Sequence, residues 1–399
     1  MTHIRSSAIC ALAFGCLVPF IASAQEAAPK KTAPTVAAID KAMEAYVESG
    51  EISGAVTLVG HDGKIAHYGA VGLADIDADK PMVRFSLFSI ASMTKPIVAT
   101  AVMMLQEEGK LSVDDKVSQY IPAFATAKLK NGESPSREIT IRDLLTHTSG
   151  LAGDQVFAGS LKDAVDEIAM RPRAFDPGTM WKYSPGLNVA GRIVEIVSDQ
   201  PLDAFLNERI FEPLGMKNTT FFPDAKRQMR VATLYGPGES SLTPVNNRIT
   251  EHSADASEGK TQGPNPSGGL FSAGRDMFLF YQMVLNGGQF RGTRYLSKDS
   301  VEQMTSLQTE ELVTGFTPGN GWGLGWCIVR EPQGVSETLS PGTFGHGGAF
   351  GTQGWVDPKT KTVYVLMIQR TGLPNSDDSD IRAAFQTAAN ESLGIQPTK

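Results

Sequence analysis

Ser92 and Lys95 stand three residues apart in Phe88-Ser-Ile-Ala-Ser-Met-Thr-Lys-Pro-Ile, a spacing that puts both side chains on one face of a helix. A serine hydroxyl with a base in reach is a nucleophile able to attack a carbonyl. The spacing alone says little, because Ser257 and Lys260 repeat it in the polar run Glu251-His-Ser-Ala-Asp-Ala-Ser-Glu-Gly-Lys. That second copy has no apolar periodicity to hold it and reads as loop. After Lys95 comes Pro-Ile-Val-Ala-Thr-Ala-Val-Met-Met-Leu before a charge returns at Glu107. A helix apolar on every side is a buried one, and Pro96 fits its first turn, so the helix is expected to begin near Ser92. Burial would lower the pKa of Lys95 and make it a usable base. The bland alternative is a serine cap and a lysine that snorkels to the surface.

Two other segments could meet this pair. Tyr183, in Trp181-Lys-Tyr-Ser-Pro-Gly-Leu-Asn, precedes an apolar helix. It is either packing or a phenol whose pKa a neighbouring lysine draws down, so that it shares the serine proton. Phe344-Gly-His-Gly-Gly-Ala-Phe-Gly has the glycine density of a close backbone approach by a chain segment or a ligand. His346 is there either an ordinary turn histidine or part of a site, and the N–H groups of the run could help form an oxyanion hole. The chain has no Gly-x-Ser-x-Gly elbow, no His-Glu-x-x-His and no P-loop, and its six histidines are scattered. Metal and nucleotide chemistry are therefore not expected.

The positioning elements follow from periodicity. Val36 to Ser49 has helical spacing, and Gly54 to Val71 alternates around the turn His61-Asp-Gly-Lys. Ser112 to Phe124, Ile139 to Leu145, Asn188 to Val197 and Leu202 to Phe211 read as helices. From Gly268 onward a helix (Met277 to Leu285) precedes strand-like runs at Gly323 to Arg330, Gly351 to Val356 and Thr362 to Gln369, then a last helix from Ile381 to Leu393. The expected organisation is an α/β domain from 35–90 and 265–399 around a mainly helical domain, 91–264, that carries the Ser-x-x-Lys helix.

Met1 to Ala24 carries Arg5, an apolar run and the ending Ala22-Ser-Ala, the pattern of a secretory signal peptide; 25–34 reads as a tether. The expected location is secreted or periplasmic. Cleavage would leave Cys327 as the one cysteine, and 35 basic against 43 acidic side chains, a formal charge of −8. Such acidity argues against nucleic acid and anionic membranes as partners, and no other stretch suits stable membrane insertion.

Taken together the segments resemble the serine β-lactamase and penicillin-recognising family, specifically its class C branch and the related family VIII carboxylesterases. Ser92-Met-Thr-Lys95, Tyr183-Ser-Pro185 and His346-Gly-Gly348 look like that family's three motifs, in its order. Leu144-Leu-Thr-His-Thr-Ser-Gly-Leu151, Phe211-Glu-Pro-Leu-Gly-Met216 and Gly268-Gly-Leu-Phe-Ser272 support the likeness. The resemblance implies a β-lactamase-like fold, an antiparallel sheet flanked by helices with an inserted helical domain. It also implies acyl transfer without a cofactor. Ser92 would attack, Lys95 and Tyr183 would move the proton, and the backbone N–H groups of Ser92 and Ala349, beside Gly347 and Gly348, would hold the oxyanion. Two departures bear on substrate. Pro185 stands where lactamases have an asparagine that grips the drug's side chain, unless Asn188 replaces it, and His346 stands where they have lysine. Both lean toward small esters; a β-lactam or short D-amino-acid peptide is the alternative substrate, and a binding module without turnover the third reading.

Overall fold

The computed structural model describes residues 36–153, 159–239, 241–246, 263–315 and 317–397; the signal-like segment, the tether and the Ser257–Lys260 pair lie outside them. Thr35–Lys399 forms one compact unit. Helix α1 (Val36–Glu48) leads into the hairpin of β1 (Gly54–His61) and β2 (Lys64–Asp75), as the periodicity predicts, and β3 (Lys80–Pro81) extends it. The C-terminal part adds β4 (Asn320–Trp322), β5 (Cys327–Val329), β6 (Phe344–Gly347), β7 (Gln353–Asp357) and β8 (Thr362–Met367). These eight strands make one antiparallel sheet in the order β4-β5-β6-β7-β8-β1-β2-β3. The two ends of the chain meet where β1 pairs with β8, Leu58 opposite Val365.

The period of two along a strand sends alternate side chains to opposite faces. On β8, Val363, Val365 and Met367 enter a core with Val56 and Leu58 of β1 and with Met277, Phe278 and Phe280, residues of the helix Gly274–Leu285. Tyr364 and Leu366 face the other way, into a core with Ile39 and Met43 of α1 and Ile381, Phe385 and Ala389 of the C-terminal helix Asp380–Leu393. The sheet is thus sandwiched between helices.

Helix α2 (Thr94–Glu107) is buried from Thr94 to Leu105, as an all-round apolar helix must be. Further helices lie between the two sets of strands. α3 (Ile141–Thr146) and α4 (Leu161–Met170) each open with a reciprocal capping box, Thr140 with Asp143 and Ser160 with Asp163, which satisfies two orphan amides at each start. α5 is Gly186–Ser198.

Two expectations are corrected. Ser112 to Phe124 forms two 3-10 turns, Val117–Gln119 and Pro122–Thr126, because Pro122 cannot continue an α-helix. Gly323 to Arg330 is not one strand. The chain reverses between β4 and β5, where Gly325 takes φ +79°, a conformation glycine adopts without cost. Among the described residues no helix is long and apolar enough to cross a membrane.

Candidate active site

Ser92 sits in a 3-10 turn, Ala91–Met93, that runs straight into α2. Phe88–Ser89 pairs with Phe271–Ser272, and Ile90 N–H donates to the Leu270 carbonyl at 3.0 Å. This tie carries the neighbouring Ser267 to the start of α2. Ala91 takes φ +44°, a left-handed conformation that costs a residue with a Cβ on the order of 1 kcal/mol or more. The strained residue directly precedes Ser92. Ser92 is half-buried while Lys95 is fully buried.

Lys95 Nζ donates to Ser92 Oγ at 3.1 Å and to the Ser267 carbonyl at 2.6 Å. Burial pulls the lysine pKa down to about 7, against a smaller opposing pull from Asp377. An ammonium has little stabilisation there, so the amine can accept a proton near neutral pH. The expectation of a buried lysine within reach of Ser92 is met, and the snorkelling alternative is not.

Tyr183 lies across from this pair, with Lys95 Nζ 4.6 Å from the centre of its ring. The expectation that the lysine draws its pKa down is overturned. Burial pushes the phenol well above its ordinary value, outweighing a hydrogen bond with Ser92 that lowers it. The phenol therefore keeps its proton and offers an O–H instead of a phenolate. Its position is set by α3. That helix ends at His147, left-handed at φ +61°, whose Nδ1 accepts from Ser184 N–H at 3.2 Å and whose carbonyl accepts from Lys182 N–H at 3.0 Å. The His147 ring is 4.5 Å from that of Tyr183 and 5.1 Å from that of Trp322. Burial holds His147 neutral, with the proton on Nε2 because Nδ1 accepts.

His346 is on strand β6, opposite Gly354 of β7; the turn reading is corrected. Its Nδ1 lies 2.6 Å from the Gly347 carbonyl. A carbonyl only accepts, so Nδ1 carries the proton and Nε2, buried without a partner among the described residues, is a bare acceptor. Burial, then the nearby Lys95, depress the imidazole pKa to about 3. It is neutral at any ordinary pH.

The glycines after it do mark a close approach. A Cβ on Gly348 would lie 2.6 Å from the Ile90 carbonyl oxygen and 2.1 Å from Thr352 Oγ1. The end of β6 is thereby pressed against the turn that carries Ser92. Ser92, Tyr183, His346, Gly347, Gly348 and the exposed Ala349 line one cavity of about 280 Å³, joined by Leu373 to Asp377. Asn188 is not on its wall; it is buried in the first turn of α5, so the structure gives it no grip on a substrate in this cavity. Two larger surface hollows, about 720 Å³ each, lie elsewhere, one between Phe124 and Arg173 and one beside the C-terminal helix.

Sequence reasoning missed three contributors. Ser267, Trp322 and Asp377 are distant in the chain and belong to no motif. The one available signal was Gly268-Gly-Leu-Phe-Ser272, which flags the segment beside Ser267.

Comparisons with known proteins give the family and the fold. The Beta-lactamase family model matches residues 39–389. Esterase EstB of Burkholderia gladioli is 30% identical over 371 residues, covering 85% of this chain and 91% of that one. A putative D-alanyl-D-alanine carboxypeptidase of Escherichia coli K12 is 29% identical over 321 residues, 73% of this chain and 71% of its own. The solved structure of EstCE1, a hydrolase with promiscuous acyltransferase activity, superposes with a TM-score of 0.78 at 24% identity, over 88% of this chain and 97% of that one, which shows the shared fold. The chain belongs to the Beta-lactamase family and is a β-lactamase-related serine hydrolase.

Proposed function

We propose that the chain hydrolyses small acyl esters through an acyl-enzyme on Ser92. One observation carries this reading, the buried Lys95 amine 3.1 Å from Ser92 Oγ with its pKa brought to about 7. In the proposed cycle Lys95 takes the Ser92 proton as Oγ bonds to the carbonyl carbon, and the oxygen that becomes negative lies between the backbone N–H groups of Ser92 and Ala349. The Lys95 ammonium, or the Tyr183 phenol between it and the cavity, returns a proton to the departing alkoxide. Water then attacks the acyl carbon and Ser92 recovers its proton.

The neutral His346 gives a carboxylate no cation and Pro185 gives the drug's side chain no amide, and both support esters over carboxylate-bearing β-lactams and peptides. The esterase relative EstB points the same way. The E. coli carboxypeptidase relative supports the second reading, peptidase or β-lactamase action on D-amino-acid peptides. A panel of p-nitrophenyl esters, nitrocefin and D-alanyl p-nitroanilide separates them. A charge-assisted contact contributes about 1.5–3 kcal/mol, so lacking such contacts should favour short esters over nitrocefin by a factor on the order of a hundred in kcat/KM. His346→Lys should narrow that ratio. A wild-type preference for nitrocefin over every ester would replace the esterase reading with the lactamase one.

We also propose that the protein acts outside the cytoplasm after removal of 1–24. Mass spectrometry of exported protein should then find Gln25 as the first residue.

A further inference from the structure

Among the described residues Asp377 is the one acidic residue on the cavity wall, in a 3-10 turn, Ser376–Asp378, just before the C-terminal helix. It leans directly over β6. A Cβ on Gly347 would lie 1.5 Å from Asp377 Oδ1 and 2.7 Å from Gln353 Nε2, so the strand has glycine where the carboxylate passes. The turn is anchored from three sides. Gln353 Nε2 donates to the Ser376 carbonyl at 2.8 Å, Asp377 N–H donates to Asn375 Oδ1 at 3.0 Å, and Arg382 Nη1 donates to the Asp377 carbonyl at 2.6 Å.

The anchors hold the backbone and, among the described residues, form no ion pair with the carboxylate; burial raises its pKa, and Arg382, then Gln353 and Lys95, draw it back toward the charged form. Arg382 serves the main chain and stacks on Trp355, 3.9 Å from the ring centre. Lys95 is bonded to Ser92 and Ser267. The carboxylate's protein donor is the neutral amide of Gln353, at 3.3 Å. On the same wall His346 is neutral. A substrate seated over Ser92 therefore meets an acid on the wall where a carboxylate-binding site would offer a base, while Lys95 is already bonded to Ser92 and Ser267.

We propose that Asp377 determines specificity, turning away substrates with a carboxylate near the scissile bond and admitting neutral and cationic ones. Like-charge juxtaposition in a partly desolvated site discriminates strongly. The proposal rests on the acyl-enzyme reading above and goes further, because it assigns the preference to a residue outside the three motifs.

The test is a charge series of 4-nitrophenyl acyl esters of matched length ending in a trimethylammonium, a methyl ester or a carboxylate, with nitrocefin placing its carboxylate on the other side of the scissile bond. Wild type should cleave the cationic and neutral members at least about tenfold better in kcat/KM than the anionic one. Asp377→Asn, whose amide oxygen can still accept from Gln353, should close most of that gap, and Asp377→Lys should reverse the order and raise nitrocefin turnover relative to the neutral ester. A flat series in wild type, or ratios unchanged in both variants, overturns the assignment; the wild-type arm decides even if a variant fails to fold. Failure of the underlying reading looks different, since wild type would then turn over none of the esters.

Discussion

At the scale of single residues the proposed chemistry turns on one proton, shared between a serine and a lysine whose environments differ sharply over one helical turn. Lys95 titrates near pH 7 because it is buried, so kcat/KM should be low in acid and rise as pH passes up through about 7, where the amine loses its proton and becomes a base. The sign follows from the protonated lysine being unable to accept. Lys95→Arg should be inactive across the whole range, since a guanidinium stays charged; a pH profile of ester hydrolysis for both proteins checks this, and a flat wild-type profile from pH 5 to 9 would remove Lys95 as the base. Tyr183→Phe keeps the ring against His147 and removes the O–H, and should lower kcat by about 10²–10⁴ with little change in KM if the phenol relays the proton. The Ser-x-x-Lys pair was legible because an apolar run announced its burial. The sense of the Tyr183 shift was not, because neighbouring charge and desolvation act in opposite directions and their balance depends on packing that no local pattern records.

At the scale of elements the site depends on how α2 is pressed between the β4–β5 turn and its helical neighbours. Gly325 is left-handed, its N–H donates to the Leu145 carbonyl at 2.9 Å, and a Cβ there would lie 2.5 Å from the Ala99 Cβ. Gly325→Ala should therefore cost about 2–4 kcal/mol of unfolding free energy, combining overpacking with a strained φ, measured as a lower urea midpoint with m unchanged. A wild-type midpoint would show that the turn can move off α2. Elements with a clean period, such as α1, the first hairpin and the last helix, were readable. Gly323 to Arg330 was not, because its apolar residues continue through a reversal that the left-handed Gly325 makes. The turn alternative for His346 fails for the complementary reason, since glycines that usually break strands here let β6 lie against the Ile90 carbonyl.

At the scale of the whole molecule, a sheet completed by strands from both ends of the chain brings together groups that are far apart in sequence. Ser92, Tyr183 and His346 resemble a known family's motifs and so could be assigned from the chain; Ser267 and Asp377 enter only through tertiary pairing, 172 and 282 positions beyond Lys95. The claim that holds the account together is a covalent intermediate on Ser92, and the most direct test is to treat the full chain with a fluorophosphonate probe, digest it and locate the adduct by mass spectrometry. A single adduct on the peptide containing Ser92, absent from Ser92→Ala together with esterase activity, is the expected result; an adduct on another residue, or hydrolysis that survives Ser92→Ala at the wild-type rate, would contradict it.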